Sequence, residues 1–436
     1  MATPSQREVA ARSAGLAARL LPSLGRALGR RHVAKRSRHG GPKGPSRSCP
    51  TLLFLARARG RLTARHATSG EVAPGTREGA RRRASKPCPY IASPDAWKEL
   101  QAVAKSSKAR TPAGEVRVGF IGCGGIAGGH FKRLLEVPQA RVVALCDTNE
   151  DSLKRFVERA TGAAALPRFS DYQQMLDEVE MDAVEIATPH TVHFEQAMEA
   201  LGRGLHVLLE KPMVCCVDHA KQLIAKATEK KRVVVVSYQR HYQGAYRYVR
   251  EAIAQGLLGR VHFISAMQAQ NWYPGPGWRG DPALSGGGQL NDSGSHLVDI
   301  ILWSTGLVPQ EVFAYIDNLG ARVDILSAVS VKFEGGALAN ISVVGHAPGW
   351  WEDFSVWGDK GAIYLRGGKI LLQKDGQMED VTDKAKDAGN ADRNFVEAIL
   401  GQAEVQADAV GGLRVIQLTE AAWESAKQGC AVEVSH

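Results

Sequence analysis

The sequence predicts an α/β chain: an N-terminal doubly wound parallel sheet of the Rossmann type, followed by an α+β domain with a large open mixed or antiparallel sheet. Three observations predict this. A glycine-rich turn separates an apolar strand candidate at 116–121 from a helix candidate at 128–135. Strand and helix patterns then alternate as far as residue 237. Beyond residue 238 the alternation gives way to longer amphipathic runs whose alternate residues are apolar.

Taken in order, the run 116–121 suits a buried parallel strand, and the turn after it suits a dinucleotide. Gly122 permits the tight bend, Gly124 and Gly125 let the main chain approach a pyrophosphate, and Ile126 and Ala127 open a helix held close to the sheet. Free N–H groups and the positive end of the helix dipole favour an anion there. A second strand, 141–146, ends in Asp147, whose carboxylate can accept hydrogen bonds from ribose hydroxyls. Thr148 and Asn149 follow, with no arginine to neutralise a 2′-phosphate, so NAD is favoured over NADP. Helices at 151–160, 171–179, 193–202 and 217–230 interleave with strands at 183–188, 205–209 and 233–237. The second domain opens with a helix at 245–255. Its strands fall at 261–270, 311–316, 327–333, 337–344, 354–365 and 369–373, with a hairpin turning at Gly335-Gly336. One face of this sheet must be covered, either by helices such as 290–302 and 413–427 or by a second copy of the chain, and a homo-oligomer, dimer or tetramer, through this sheet is expected.

Charge divides the chain of 436 residues into unlike parts. Residues 1–110 hold 24 Lys and Arg against 5 Asp and Glu, whereas the remainder holds 31 against 40. The folded portion is therefore acidic, which argues against a nucleic-acid partner despite the basic whole. The extension lacks the apolar content needed to order itself. Within it Arg12, Arg19 and Arg26 recur on one side of a helical pattern and Leu16, Leu20, Leu24 and Leu28 on another, as in an organelle-targeting presequence; a mispredicted start is a second reading and an arm for nucleic acid or an anionic membrane a third. A presequence implies a mitochondrial or plastid location, and a spurious extension a cytoplasmic one. The apolar run 52–56 is too short to span a bilayer, so no membrane partner is expected. The seven cysteines form no zinc or disulfide spacing, which predicts no metal and a reducing compartment. Expected domains are thus 1–110 (extension), 115–237 (nucleotide-binding) and 238–434 (substrate and oligomerisation).

Three further segments carry a resemblance: Ala187-Thr-Pro-His-Thr-Val-His193, His206-Val-Leu-Leu-Glu-Lys-Pro212, and Gly286-Gly-Gly-Gln-Leu-Asn-Asp-Ser-Gly-Ser-His-Leu-Val-Asp299. With the glycine-rich turn, their order and spacing over residues 115–434 resemble the Gfo/Idh/MocA family, the glucose–fructose oxidoreductase and inositol 2-dehydrogenase group. The resemblance implies reversible hydride transfer between a nicotinamide and a secondary hydroxyl of a sugar, sugar acid or cyclitol. It places catalytic residues at Lys211, Asp292 and His296, and further cofactor contacts at Thr188, Pro189, His193, Glu210 and Lys211. Many members carry Asn after Thr-Pro, where this chain has His190. Two alternatives stand beside the dehydrogenase: a glycosidase of the same family that oxidises, eliminates and restores, and a non-catalytic NAD or sugar sensor.

The chemistry needs a hydride acceptor, which no side chain provides, and a base for the hydroxyl proton. His296 titrates near neutrality when unperturbed and suits the base. Asp292 lies one helical turn earlier, on the same face if 291–302 is helical, where it can orient the imidazole. Lys211 emerges at the carboxyl end of a Rossmann strand and can stabilise alkoxide charge. His193 is expected to shape the loop beneath the nucleotide, and His130 to pack on the first helix. Trp272, Tyr273 and Trp278, in the Pro/Gly-stiffened loop before His296, can present flat faces to a sugar ring, and Arg240 or Arg279 can bind hydroxyls or a carboxylate.

Overall fold

The computed structural model describes residues 114–436; the Arg-rich extension, with its helical pattern at Arg12, Arg19 and Arg26, lies outside the described residues. The first domain alternates β1 (Val116–Ile121), α1 (Ala127–Leu135), β2 (Ala140–Cys146), α2 (Glu150–Arg159), β3 (Arg168–Phe169), α3 (Tyr172–Glu178), β4 (Ala183–Ile186), α4 (His193–Gly202), β5 (His206–Leu209), α5 (Val217–Lys230) and β6 (Val234–Val236). The strands form one parallel sheet in the order β3-β2-β1-β4-β5-β6. The order reverses between β1 and β4, which opens a crevice at the strands' carboxyl ends.

Alternation along each strand builds a core on both faces. Val118 and Phe120 of β1 pack with Phe131 of α1 and Phe156 of α2, in a ring cluster with centroids 5.4–6.2 Å apart, while Ile121 joins the core on the other side. Each such side chain stabilises the fold by about 1.5–3 kcal/mol on burial. The Asn149 side chain accepts from Ser152 N at 3.0 Å and so caps α2.

The second domain contains α6 (Gly244–Ala254), β7 (Val261–Asn271), α7 (Pro282–Ser285), α8 (Ser293–Thr305), β8 (Pro309–Asp317), β9 (Leu326–Phe333), β10 (Leu338–Val344), β11 (His346–Gly358), β12 (Gly361–Arg366), β13 (Lys369–Lys374), β14 (Gln377–Asp380), α9 (Ala391–Ile399), α10 (Ala409–Gln428) and β15 (Val432–Glu433). Its nine strands run β14-β13-β12-β11-β7-β10-β9-β8-β15, antiparallel except where β7 meets β10. The expected hairpin joins β9 to β10, with Gly335 and Gly336 both at positive φ. Val329, Val331, Ile341 and Val343 are buried with side chains of α8 and α10, and the opposite face leaves Tyr315 72% and Leu338 47% exposed.

Several features differ from expectation, among them the run 354–365, which is divided between β11 and β12. Helix α8 begins at Ser293, because Asp292 leaves helical geometry with ψ −92°. Strand β11 begins at His346, well before 354; its first half is mostly exposed and contains Pro348 and Gly349, so it shows no alternation of buried residues. Finally, α9 returns to the first domain, where Phe395, Val396 and Ile399 join the core around Phe120 and Phe131. The nucleotide-binding domain is thus completed from the far end of the chain. Among the described residues no helix is long and apolar enough to cross a membrane.

Candidate active site

The glycine turn forms a bare ledge at the crevice. Gly122 has φ +96°, and a Cβ there would stand 2.7 Å from the Ala187 carbonyl, so only glycine fits between β1 and the loop after β4. Gly124 and Gly125 are exposed, and a Cβ on either would meet nothing within 4 Å, which leaves their main chain open to a ligand. Helix α1 starts at this ledge with no side-chain cap and no acid in its first turn, so its amino end is open to a phosphate. Asp147 is turned toward the ledge: Cys123 N donates to Oδ2 and Asn149 N to Oδ1, each at 2.8 Å. Each oxygen keeps a lone pair for a ribose hydroxyl. Ile126, 48% exposed, offers an apolar wall beside the ledge. Glycine backbone, open helix end and carboxylate together fit an adenine dinucleotide without a 2′-phosphate.

Across the crevice an ion pair joins the two domains. Lys211, two residues beyond β5, donates from Nζ to Asp292 Oδ1 at 2.6 Å. The other carboxylate oxygen of Asp292 accepts from Trp272 Nε1 at 3.0 Å and Arg279 Nε at 2.7 Å. Burial opposes ionisation of Asp292, but Lys211 and Arg279 hold its carboxyl well below the usual range. Asp292 is therefore a fixed anion at the start of α8 that aims the ammonium of Lys211.

Residues 116–238 match an oxidoreductase family with an NAD-binding Rossmann fold, and residues 246–364 match the Gfo/Idh/MocA C-terminal domain. The chain belongs to the Gfo/Idh/MocA family. As a member it is an NAD-binding oxidoreductase. It is 24% identical over 356 residues to the D-glucoside 3-dehydrogenase of Escherichia coli (strain K12), an alignment that covers 76% of this chain and 100% of that one. It is 25% identical over 260 residues to the myo-inositol 2-dehydrogenase of Thermotoga maritima, covering 57% and 75%. Among solved structures, the WlbA dehydrogenase from Bordetella pertussis, in complex with NADH and UDP-GlcNAcA, superposes with a TM-score of 0.66 at 27% identity, covering 74% of this chain and 98% of that one.

In this Gfo/Idh/MocA member Asp292 does not orient His296. Its helix starts after it, and its carboxylate is taken up by Lys211, Trp272 and Arg279. His296 has a buried Nδ1 with no hydrogen-bond partner. Burial, Lys211 and Arg240 push its imidazole well below the ordinary value, against Glu210 and Asp292. It is neutral at physiological pH rather than poised at it.

The remaining histidines hold loops. His193 places its two ring nitrogens 3.0 Å from the carbonyls of Pro212 and Thr188, tying the Thr188–Pro189 loop to the cis Lys211–Pro212 bond. Thr188 donates to Gln196 at 2.6 Å. His190 donates from Nδ1 to the Ser285 carbonyl at 2.9 Å, and its Nε2 lies 3.8 Å from Asp292. Burial is the main cause that brings it down to about 3, so the ring is neutral.

His130 does more than pack on α1. Its Nδ1 meets Asp392 Oδ1 at 2.7 Å and its Nε2 meets Glu210 Oε1 at 3.0 Å, while Glu210 Oε2 accepts from Lys211 N at 3.1 Å. Burial opposes charge here, but the hydrogen bond from His130 brings Glu210 down to about 2. Glu210 thus braces the Lys211 backbone from beneath the nucleotide ledge. Ligand atoms of His130, Glu185 and Asp392 lie within 4.8 Å of one another, the spacing of a cation site, but Arg133 already pairs with Asp392.

Of the expected sugar-stacking aromatics, Trp272 is buried as a donor to Asp292, so it is a support and not a platform. Tyr273 stands 37% exposed, its hydroxyl donating to the Leu319 carbonyl at 3.3 Å, and Trp278 packs edge-on against His190 at 4.7 Å. Arg279 is engaged by Asp292 and lies over the Trp278 ring. The supports missed by sequence reasoning are Gln268, Glu352 and Asp392. They come from distant strands and helices, and only Glu185, a charge inside the apolar run of β4, advertised a buried polar cluster.

Proposed function

We propose that this chain oxidises a secondary hydroxyl of a sugar-like or cyclitol substrate, reversibly, with NAD. The observation that carries this reading is the Lys211–Asp292 pair: an ammonium from the end of a parallel strand, aimed by a carboxylate of the second domain, beside the nucleotide ledge. When bound, the nicotinamide supplies the hydride acceptor. Lys211 hydrogen-bonds the reacting oxygen through Nζ and stabilises its developing negative charge. Asp292 keeps the ammonium on that line, and Trp272 and Arg279 keep Asp292 in place. His296, in its neutral form, has a buried Nδ1 with no hydrogen-bond partner, and this nitrogen takes the hydroxyl proton. Glu210 and His193 hold the loop that carries Lys211. The open face of the nine-stranded sheet, with Tyr315 and Leu338 exposed, supports assembly into a homo-oligomer.

The test is a panel of sugars, uronic acids and inositols mixed with protein and NAD, followed by the absorbance of the reduced cofactor. Free NADH formed in proportion to substrate is expected. Its absence for every polyol, with NAD still binding, overturns the proposal in favour of a redox-neutral glycosidase or a sensor.

A further inference from the structure

Deeper in the second domain lies a second polar group, which the ion pair at Lys211 does not use. Arg240, 6% exposed, sits just beyond β6 and donates from Nη2 to Gln268 Oε1 at 2.9 Å and to Glu352 Oε2 at 2.6 Å. The Tyr246 hydroxyl donates to the other oxygen of Glu352, and the Arg240 guanidinium lies 5.5 Å from the centre of the Tyr246 ring. Gln268 and Glu352 are paired across β7 and β11, so both project from the same side of the sheet. These contacts leave two buried donors without partners, Arg240 Nη1 and Gln268 Nε2. Because Gln268 turns its oxygen to Arg240, its amide nitrogen is the atom left over.

This group lies along the same line as the reacting centre. Trp272 bonds Asp292, and Gln270 bonds Ser293 Oγ at 2.6 Å, so β7 runs in register with the start of α8. One pleat further along β7 is Gln268, and one turn further along α8 is His296. Arg240 is also close enough to His296 to act on its protonation. Buried donors left unpaired in a native fold mark a place where a ligand or water completes them.

Resting on the reading above, we infer that Arg240, Gln268 and Glu352 form the substrate subsite next to the reacting carbon, and that it takes a pair of neutral hydroxyls rather than a carboxylate. Glu352 already neutralises Arg240 at contact distance. What remains is two donors beside a carboxylate that can still accept. Hydroxyls on adjacent carbons both donate and accept, so they match that set. A uronic carboxylate only accepts, and it would face Glu352 with no uncommitted cation of this subsite to offset the repulsion.

The test compares matched neutral and acidic ligands, such as glucose against glucuronate, by kcat/KM with NAD and by calorimetric binding to the protein–NADH complex. The neutral member is expected to be preferred by at least about tenfold in both readouts. Glu352→Gln is expected to shift the ratio toward the acid by a similar factor. Preference of the wild-type protein for the acid, or an unchanged ratio in a folded Glu352→Gln protein, overturns the inference while leaving the dehydrogenase intact. Neutral preference in binding with no hydride transfer from any polyol has the opposite meaning: the subsite stands and the reaction falls.

Discussion

Lys211→Met is the perturbation that separates the reacting ammonium from everything that merely supports it. Methionine keeps most of the volume and apolar stem of lysine but removes the charge that lies 2.6 Å from Asp292 Oδ1. Both side chains are enclosed, at 12% and 5% exposure, so solvent does little to replace the lost contact. Removing one partner of a buried pair costs about 3–5 kcal/mol when the other is stranded. Asp292 is not stranded here, since Arg279 and Trp272 still bond its second oxygen. A loss of about 1.5–3 kcal/mol is therefore expected, the size of one charge-assisted hydrogen bond. The catalytic effect is larger, because the ammonium faces charge that exists only as the hydroxyl proton leaves: about 10²–10³-fold in kcat. Initial rates with NAD, beside thermal denaturation and NAD binding, resolve the two effects. A folded Lys211→Met protein that binds NAD and keeps kcat within about threefold of wild type would refute the role given to Lys211.

Other consequences follow from the same geometry. Gly122→Ala forces a Cβ to 2.7 Å from the Ala187 carbonyl at φ +96°, and it should weaken NAD binding by at least about tenfold or lower the thermal midpoint; unchanged values in both would contradict the close approach. Asp147→Ser combined with Thr148→Arg removes the ribose acceptor and adds a phosphate partner; the kcat/KM ratio of NADP to NAD should rise by about tenfold to a hundredfold, and an unmoved ratio would detach cofactor choice from the end of β2. Glu185 is buried in β4 with neither oxygen hydrogen-bonded, and burial raises its carboxyl well above the ordinary range. A folded-state value raised in this way gives stability that is complete below about pH 4 and is lost as pH climbs through the raised value. Glu185→Gln should therefore gain stability over wild type progressively as pH rises above about 4, whereas a constant offset would show that Glu185 does not titrate over the range scanned.

Much of the fold was legible because its signals are local. Gly122 and Asp147 declare themselves through turn geometry and a charge at the end of an apolar run, and both stand where the sequence placed them. The period-two pattern of β9 and β10 likewise survives as alternating burial about the Gly335-Gly336 turn. The site was legible in its members and not in its wiring. Spacing put Asp292 and His296 on one helix face, but three donors from other segments pull Asp292 out of the helix. Desolvation then moves His296 away from its solution behaviour, an effect that no spacing encodes. Trp272 reads as a stacking surface only until its indole N–H is seen to meet Asp292. Glu352 and Asp392 belong to elements that reach Arg240 and His130 only after the sheet has paired and α9 has returned.

In the proposed reaction a carbon-bound hydrogen passes directly from a polyol to NAD beside Lys211. Supplying a substrate from the panel with deuterium on the carbon to be oxidised, then measuring the mass of the NADH formed, tests it most directly. One deuterium in each reduced cofactor and a slowed rate are expected. Reduced cofactor without the label, or label released to water, would contradict it.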